Sequence, residues 1–248
     1  MNVYQKILSN KEQNRKQLAL LIDPDKAEGK ALEQLCKAAT LAEVDFLFVG
    51  GSLLTNGSIH ACLKTIKSSC NIPAIIFPGS TMQIDEQADA ILFLSLLSGR
   101  NAELLIGKHV VAAPVIKEKK LESISTGYLL IDSGNVTTVQ YISDTKPIPA
   151  DKADIAACTA LAGEMLGMKL IFLEGGSGAL NPVSETMIEK VAQTISIPLI
   201  VGGGIRTAEK AMQNYRAGAD VIVIGNTIEN NPSILQEMAA ARFEYSSK

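Results

Sequence analysis

The stretch PLIVGGGIRTAEK, residues 198–210, combines a short apolar run, three glycines and the start of a helical pattern. The run at 198–201 is apolar on both faces, which is typical of a strand in a parallel sheet that is covered on both sides. Thr207 fits the N-cap of a helix over 207–217. This order of strand, glycine turn and helix indicates an α/β fold.

The same order recurs along the chain. Further strands are predicted at 17–22, 45–49, 73–77, 90–96, 128–132, 169–173 and 220–224. Further helices are predicted at 28–41, 57–68, 102–110, 152–166, 183–194 and 229–243. Eight strands that alternate with helices in 248 residues indicate a (β/α)8 TIM barrel, which we expect to form a single domain over residues 1–248.

Two connections depart from the regular pattern. The segment PGSTMQIDEQAD, 78–89, lies between the third and fourth strands and is too short for a barrel helix with its loops. The segment SGNVTTVQYISDTKPIPA, 133–150, is long for a connection, and long loops are often functional. We therefore expect an irregular third unit and a functional role near the end of the fifth strand.

Composition argues against several classes of protein. The net charge of −3, the aromatic content of 4% and the absence of tryptophan argue against a nucleic-acid-binding protein. The N-terminus is too polar for a signal peptide, and no apolar stretch approaches the length of a membrane span. Peripheral contact with a membrane surface is compatible with this composition.

The four cysteines show no CxxC spacing. Cys36 and Cys158 fall within helical apolar patterns, where a cysteine is usually a small buried hydrophobe. We therefore expect reduced thiols and a cytoplasmic protein.

Glycines are concentrated at the ends of the last three strands, in GGSG at 175–178, GGG at 202–204 and at Gly225. The working face of a TIM barrel is formed by the C-terminal ends of its strands, and a phosphate site often lies at the last of them. Exposed backbone N–H groups can hold an anion there without a cationic side chain. These clusters predict a phosphate site, although each glycine turn alone also fits a plain tight turn.

Two carboxylates stand at strand ends. Asp23 follows the first strand and is either a turn former or a ligand for Mg²⁺, with Ser52 from the second strand as a further oxygen. Glu174 ends the sixth strand and is either a general base or a structural carboxylate that caps a helix or pairs with Arg206. His60 and His109 lie in helical patterns, so we interpret both as structural or surface residues.

Several motifs together resemble one known family: LLIDPDK at 20–26, FVGGSLLT at 48–55, LIFLEGGSGA at 170–179, VGGGIRTAEKA at 201–211 and GADVIVIGNTI at 218–228. The chain resembles the geranylgeranylglyceryl phosphate synthases, a family that includes the heptaprenylglyceryl phosphate synthases. It is most similar to their longer group, of archaeal and Bacteroidetes type. The resemblance implies a modified TIM barrel in which a loop or strand replaces the third helix.

The resemblance also implies a prenyltransferase that joins sn-glycerol 1-phosphate to a polyprenyl diphosphate, with geranylgeranyl diphosphate expected, and releases diphosphate. Glu174 would accept the proton of the attacking hydroxyl, and Mg²⁺ would be held by Asp23 and Ser52. A homo-oligomer is expected. The residues expected to bind glycerol 1-phosphate are Phe172, Leu173, Glu174, Gly175, Gly176, Ser177, Gly178, Gly203, Gly204, Gly225 and Asn226.

The sequence departs from the family pattern at two positions. Phe172 stands where the family has a tyrosine, and Leu21 stands where short members carry a lysine. Alternative functions are a barrel isomerase or synthase for another sugar phosphate, a flavin-binding barrel, and a non-catalytic scaffold that binds a phosphometabolite. An apolar groove for a prenyl tail would separate the prenyltransferase from these alternatives.

Overall fold

The computed structural model describes residues 2–225 and 234–244. Its eight strands form a closed parallel barrel in which each strand pairs with the next and β8 pairs with β1. This confirms the predicted TIM barrel. The strands are β1 (Gln17–Ile22), β2 (Phe46–Val49), β3 (Ala74–Ile76), β4 (Ala90–Leu96), β5 (Glu122–Leu130), β6 (Leu170–Glu174), β7 (Leu199–Gly202) and β8 (Val221–Ile224).

Helices cover the outside of the barrel, and a π-helical turn at Glu103–Gly107 leads into the fourth of them. Of the helix predicted at 229–243, positions 229–233 lie outside the described residues. The helices are α1 (Val3–Glu12), α2 (Gly29–Leu41), α3 (Ile59–Ser69), α4 (Lys108–Glu118), α5 (Thr138–Ser143), α6 (Ala153–Met165), α7 (Glu185–Thr194), α8 (Ala208–Arg216) and α9 (Ile234–Glu244).

Side chains of each strand alternate between the barrel interior and the layer beneath the helices, because successive residues of a strand point to opposite faces. In β6, Phe172 packs inside the barrel, whereas Ile171 and Leu173 pack in the outer layer. Both layers are apolar. This accounts for the strands that are hydrophobic on both faces in the sequence.

The connection between β3 and β4 contains turns and no helix, which confirms the predicted loss of the third barrel helix. The outer face of β4 is therefore less completely covered than that of its neighbours. Phe93, which points outward from β4, is only partly buried. The consequence is a gap in the helical layer beside β4.

The first helix, α1, was not predicted from the sequence. Asn2 caps it by accepting a hydrogen bond from the Gln5 N–H at 2.9 Å. The carboxylate of Glu122, at the start of β5, accepts bonds from the N–H groups of Val3 and Tyr4 at 2.7 and 3.0 Å. Val3 and Ile7 pack with the interior residues of the barrel. Helix α1 therefore closes the N-terminal end of the barrel.

Four further expectations need correction. Strand β5 begins at Glu122 rather than at residue 128, because its first half is polar on the exposed face and lacks an apolar run. The fourth helix continues to Glu118, beyond the predicted end at 110, and α5 was missed within the long connection. Cys158 is exposed rather than buried, because it lies on the outer face of α6. Cys36 is buried as expected.

Candidate active site

A cavity of about 540 Å³ opens at the C-terminal ends of the strands. One end is polar and is formed by residues that follow β1, β2, β6, β7 and β8. The other end is apolar and extends beside β4 and α4. The residues expected to act from sequence that border the cavity are Asp23, Ser52, Glu174, Gly176, Ser177, Gly178, Gly203, Gly204 and Gly225.

Glu174 is the last residue of β6, and its side chain is buried at the base of the polar end, with 6% of the residue exposed. Its Oε1 accepts a hydrogen bond of 2.7 Å from the Gly176 N–H. Burial raises the pKa of Glu174 to about 7, while this hydrogen bond acts in the opposite direction. A carboxyl group with that pKa can take up a proton near neutral pH, as a general base must.

Gly202, the last residue of β7, and Gly203, which follows it, leave room for the Glu174 carboxylate. A Cβ atom on Gly202 would lie 2.6 Å from Oε2, and one on Gly203 would lie 2.6 Å from Oε1. Gly203 also has a φ of +84°, which disfavours any residue with a side chain. The sequence suggested that these glycines admit a ligand. The structure shows that the space left by the glycines at 202 and 203 is occupied by the side chain of Glu174.

The glycine loop after β6, residues 175–178, borders the cavity more openly. Gly176 and Gly178 have φ values of +92° and +78°, and no atom of the described residues lies within 4 Å of a Cβ placed on Gly178. Such a turn brings backbone groups to the cavity surface without intervening side chains, which suits an anion.

Arg206 joins the two glycine segments rather than pairing with Glu174. Its guanidinium donates hydrogen bonds to the carbonyl oxygens of Leu180 and Ala179. Thr207 caps α8 as predicted, accepting a bond from the Lys210 N–H at 3.2 Å. The start of α8 is thereby fixed beside the β6 loop.

Asp23 follows β1 and borders the same cavity, and its side chain is 24% exposed. Its Oδ1 accepts a hydrogen bond from the Asp25 N–H at 3.0 Å, and its Oδ2 lies 3.7 Å from Lys26 Nζ. A Cβ on Gly51 would lie 3.5 Å from Oδ1, so the carboxylate faces the loop that carries Ser52.

Asp25 fixes the geometry of this region. Its carboxylate accepts hydrogen bonds from the backbone N–H groups of residues 55–57, at distances of 2.8, 3.1 and 2.5 Å. These bonds lower the pKa of Asp25 to about 2. The loops after β1 and β2 are therefore tied together, which sets Asp23 and Ser52 in one place.

Asp23 and Ser52 suit a magnesium ion that is shared with a substrate. In the described part of the chain, no three His, Cys, Asp or Glu side chains cluster in a way that could hold a metal. A lone carboxylate with a neighbouring hydroxyl is nevertheless an oxygen set that Mg²⁺ accepts when substrate phosphates complete its coordination. The donors fit such an ion, and they would not make a closed protein site.

The apolar end of the cavity follows from the missing helix. Side chains from the outer face of β4, the π-helical turn and the inner face of α4 line it: Ile91, Phe93, Leu104, His109, Ala112 and Ile116. Because α4 runs antiparallel to β4, these residues extend from the barrel mouth down the outside of the barrel. They form an apolar groove that is continuous with the polar end.

His109 was interpreted from sequence only as structural or surface. It is buried, its ring lies edge-on to Phe93 with centroids 4.5 Å apart, and its Nε2 lies 3.2 Å from Ser95 Oγ. Burial lowers the pKa of His109, which favours a neutral ring in the groove wall. Positions 112 and 116 are apolar and lie on the same face of α4 as His109. This pattern in the sequence could have predicted that His109 is buried on the inner face of the helix.

Three expected site residues do not border the cavity. Leu173 points into the outer layer, because it alternates with Phe172 along β6. Phe172 is fully buried, its ring stacked on Phe77 with centroids 5.3 Å apart, and Gly175 donates its N–H to Gly202. A fourth, Asn226, lies outside the described residues.

Tyr128 is a cavity residue that the sequence argument missed. It pairs in register with Phe172, with ring centroids 5.5 Å apart. Burial, followed by the nearby charge of Glu174, raises the pKa of Tyr128 well above its usual value. The tyrosine near Glu174 therefore comes from β5 rather than from position 172.

A family model for the PcrB family matches residues 10–242. The chain belongs to the PcrB family. The geranylgeranylglyceryl phosphate synthase of Chitinophaga pinensis is 53% identical over 239 residues, 96% of this chain and 95% of that protein. The synthase of Pyrococcus furiosus is 43% identical over 216 residues, 87% of this chain and 85% of that protein.

Solved structures agree with this assignment. The (S)-3-O-geranylgeranylglyceryl phosphate synthase of Thermoplasma acidophilum, in complex with its substrate sn-glycerol-1-phosphate, has a TM-score of 0.92 and 36% identity, covering 98% of this chain and 99% of that one. Tryptophan synthase subunit alpha of Legionella pneumophila has a TM-score of 0.62 at 15% identity, covering 98% and 99%, and shows the barrel fold alone.

Proposed function

We propose that the protein is a prenyltransferase that joins sn-glycerol 1-phosphate to a polyprenyl diphosphate, forming an ether bond and releasing diphosphate. The observation that carries the proposal is one continuous cavity with Glu174 and the glycine loops at its polar end and an apolar groove at the other. A small phosphorylated alcohol suits the first end, and a long hydrocarbon suits the second.

The family relationship supports the same substrates. The relatives in Chitinophaga pinensis and Pyrococcus furiosus are geranylgeranylglyceryl phosphate synthases, and the Thermoplasma acidophilum enzyme binds sn-glycerol-1-phosphate. At 36% identity over nearly the whole chain, that enzyme is a reasonable guide to the substrate at the polar end. We therefore propose geranylgeranyl diphosphate as the second substrate.

Glu174 acts as the general base in this proposal. The bond from the substrate's allylic carbon to diphosphate breaks, and the bonding electron pair leaves with the diphosphate. The glycerol hydroxyl oxygen forms the new bond to that carbon and loses its proton to Glu174. With a pKa of about 7, Glu174 is partly ionised at neutral pH and can hold that proton. Placing both substrates in one cavity supplies much of the remaining acceleration.

Asp23 and Ser52 hold Mg²⁺ in this proposal, because they offer oxygen ligands in the same cavity as the glycine loops. Bound there, Mg²⁺ would neutralise charge on the diphosphate leaving group. Asp23 remains partly exposed to the cavity, so a substrate oxygen can reach the same side of the carboxylate.

The deciding experiment offers the purified protein sn-glycerol 1-phosphate or its mirror image together with C15, C20, C25 or C35 prenyl diphosphates. We expect an ether-linked prenylglyceryl phosphate by mass spectrometry from sn-glycerol 1-phosphate, and no product when Mg²⁺ is chelated. Product from neither enantiomer would contradict the proposal, and activity that survives chelation would contradict the role of Asp23 and Ser52.

The alternatives predict different results in the same preparation. A flavin-binding barrel would absorb near 450 nm as purified. A non-catalytic scaffold would bind glycerol 1-phosphate without turnover, and an isomerase for another sugar phosphate would not use a prenyl diphosphate. None of these alternatives explains an apolar groove that is continuous with the Glu174 end of the cavity.

A further inference from the structure

The connection between β5 and α6, residues 131–152, forms one side of the cavity mouth. Thr138, Val139 and Ile142 border the cavity. The connection folds back on itself through a bridge between Ile131 and Ile148, in which the Asp132 N–H donates to the Ile148 carbonyl at 2.8 Å. Its length predicted a functional role, yet the proposed reaction uses none of its residues.

Asn135 fastens this connection to the glycine loop after β6. Its Nδ2 donates a hydrogen bond to the Gly178 carbonyl at 3.2 Å, and its Oδ1 accepts one from the Leu180 N–H at 2.9 Å. In return, the Asn181 N–H donates to the Ser133 carbonyl at 2.9 Å. The backbone of the glycine loop is therefore held from outside by side-chain and main-chain bonds to one neighbouring segment.

Thr137 lies at the point where the connection meets Gly176. The residue is buried, with 4% exposed. A Cβ on Gly176 would lie only 2.6 Å from Thr137 Oγ1, so the threonine side chain packs directly on the glycine backbone. Glycine at 176 thus leaves room for this threonine as well as adopting a φ of +92°.

The Thr137 hydroxyl has no hydrogen-bond partner in the part of the chain that the structure describes. Although Thr137 precedes α5, its side chain makes no capping bond. A buried hydroxyl without a partner is costly, and native proteins rarely keep one without a reason. Thr137 does not itself border the cavity, but it packs on Gly176, which does. A turn of the threonine side chain past that glycine would bring its hydroxyl to an acceptor supplied by a ligand at the glycine loop.

We propose that Thr137 is a further substrate-binding residue, whose hydroxyl donates a hydrogen bond to the phosphate group held at residues 176–178. Asn135 is then a positioning residue that keeps the Gly178 backbone in place for the same phosphate. This inference rests on the proposed function, in which that phosphate belongs to sn-glycerol 1-phosphate. It assigns the long β5–α6 connection to the recognition of the substrate.

The test replaces the hydroxyl by a methyl group in Thr137→Val, which keeps the side-chain volume. Isothermal titration with sn-glycerol 1-phosphate is expected to show a Kd about 10-fold weaker, and kinetics a similarly raised KM with kcat within about twofold. Thr137→Ser keeps the hydroxyl and should bind within about threefold of wild type. Thr126→Val is the matched control, because Thr126 is equally buried but bonds the Ile124 carbonyl outside the cavity.

Unchanged affinity in Thr137→Val would overturn the assignment, and so would a Thr137→Ser protein that binds as weakly as Thr137→Val. If the valine variant does not fold, Thr137→Ala is titrated in its place and read against Thr137→Ser. Inorganic phosphate is the second probe. A wild-type protein that binds phosphate but not glycerol 1-phosphate would remove the proposed function, while the phosphate titrations of the variants still decide the role of Thr137.

Asn135→Ala tests the positioning role. It should raise KM for glycerol 1-phosphate about fivefold or more and leave KM for the prenyl diphosphate within about twofold, because only the glycine loop loses its support. Asn135→Gln, which keeps the amide, is expected to recover part of the loss. An equal rise in both KM values would show general disruption of the barrel mouth and would overturn this role.

Discussion

At the scale of single residues, the surroundings of Glu174 determine the pKa of its carboxyl group. It is buried, it accepts one backbone hydrogen bond from the residues that the structure describes, and Gly202 and Gly203 leave space for its two oxygens. One hydrogen bond does not compensate a carboxylate for the loss of water, so the protonated form is favoured. The pKa of about 7 is the result of this imbalance.

Replacing Glu174 by glutamine should change both activity and the pH dependence of stability. Below the unfolded pKa of about 4.5 the carboxyl group is protonated in both states and carries no penalty. As pH rises from about 4.5 to about 7, the unfolded chain loses this proton first, so the wild-type free energy of unfolding falls by about 3 kcal/mol. Glu174→Gln lacks that fall, and turnover should drop at least about 100-fold.

Urea unfolding of both proteins between pH 4 and 8 measures this difference. Glu189→Gln, at an exposed position on α7, is the control and should follow the wild-type curve. If the free energy of unfolding of Glu174→Gln depends on pH as that of the wild type does, the pKa of Glu174 is not raised in the folded protein.

At the scale of elements, the β7–α8 turn shows how backbone conformation and chemistry are linked. Gly203 has a positive φ and lies against both Glu174 and the Gly175 N–H. A side chain there would disturb the two glycine segments that Arg206 joins from the other side. Glycine is therefore required at 203 both for the backbone conformation of the turn and for its close contact with Glu174.

Gly203→Ala should lower kcat/KM by at least about 10-fold and destabilise the fold by about 1–2 kcal/mol or more, because φ is positive and the new Cβ meets Glu174. Gly167→Ala is the matched control, since Gly167 has a φ of +90° but no atom in the described part of the chain within 4 Å of an added Cβ. Gly167→Ala should lose about as much stability as Gly203→Ala from placing a side chain at a positive φ, but it should keep the wild-type activity. Equal activity of the two variants would show that the contact with Glu174 is unimportant.

The gap after β3 is the second feature at this scale. Without a helix between β3 and β4, core residues on the inner face of α4 and the outer face of β4 also line a groove. Ala112 lies midway along α4 on the groove side. A larger side chain there would narrow the path of a long hydrocarbon.

Ala112→Leu should lower kcat/KM for geranylgeranyl diphosphate at least about 10-fold and leave geranyl diphosphate, with its C10 tail, nearly unchanged. Ala113→Leu, its exposed neighbour on α4, is the control and should behave as wild type. Steady-state kinetics give the ratio of kcat/KM for geranylgeranyl diphosphate to kcat/KM for geranyl diphosphate in each variant. Equal losses with both tails would place the tail elsewhere.

At the scale of the whole molecule, the last described helix is joined to the barrel through Asp45. This buried carboxylate accepts hydrogen bonds from Arg242 Nη1 at 2.6 Å, on the last described helix, and from the Leu18 N–H at 2.9 Å, on β1. Helix α1 covers the same end of the barrel. Contacts between residues about 200 positions apart thus complete the fold.

Asp45→Asn should destabilise the protein by about 3–5 kcal/mol, because it leaves the buried Arg242 without its buried charge partner. Glu43→Gln removes the exposed partner of the same arginine, 3.8 Å away, and should cost less than about 1 kcal/mol. Urea unfolding at one pH compares the free energies of unfolding of the two variants with that of the wild type. A small effect of Asp45→Asn would mean that the ion pair adds little to holding α9 on the barrel.

The sequence by itself determined the barrel, the missing third helix and the placement of Asp23 and Glu174 at strand ends. These follow from local information: apolar runs identify strands, glycine and Thr207 mark turns and helix starts, and parallel topology brings all strand ends to one face. Family motifs added the substrates, because the residues at those ends match a known pattern.

Only the tertiary structure decided the rest. The closure by α1, the early start of β5, the position of His109 in the groove, the pKa of Glu174 and the burial of the Thr137 hydroxyl all depend on contacts between segments that are distant in the chain. Burial is set by the packing of those segments, and it determines which polar group loses water and which glycine makes room for a neighbour. No local pattern in the sequence records that environment.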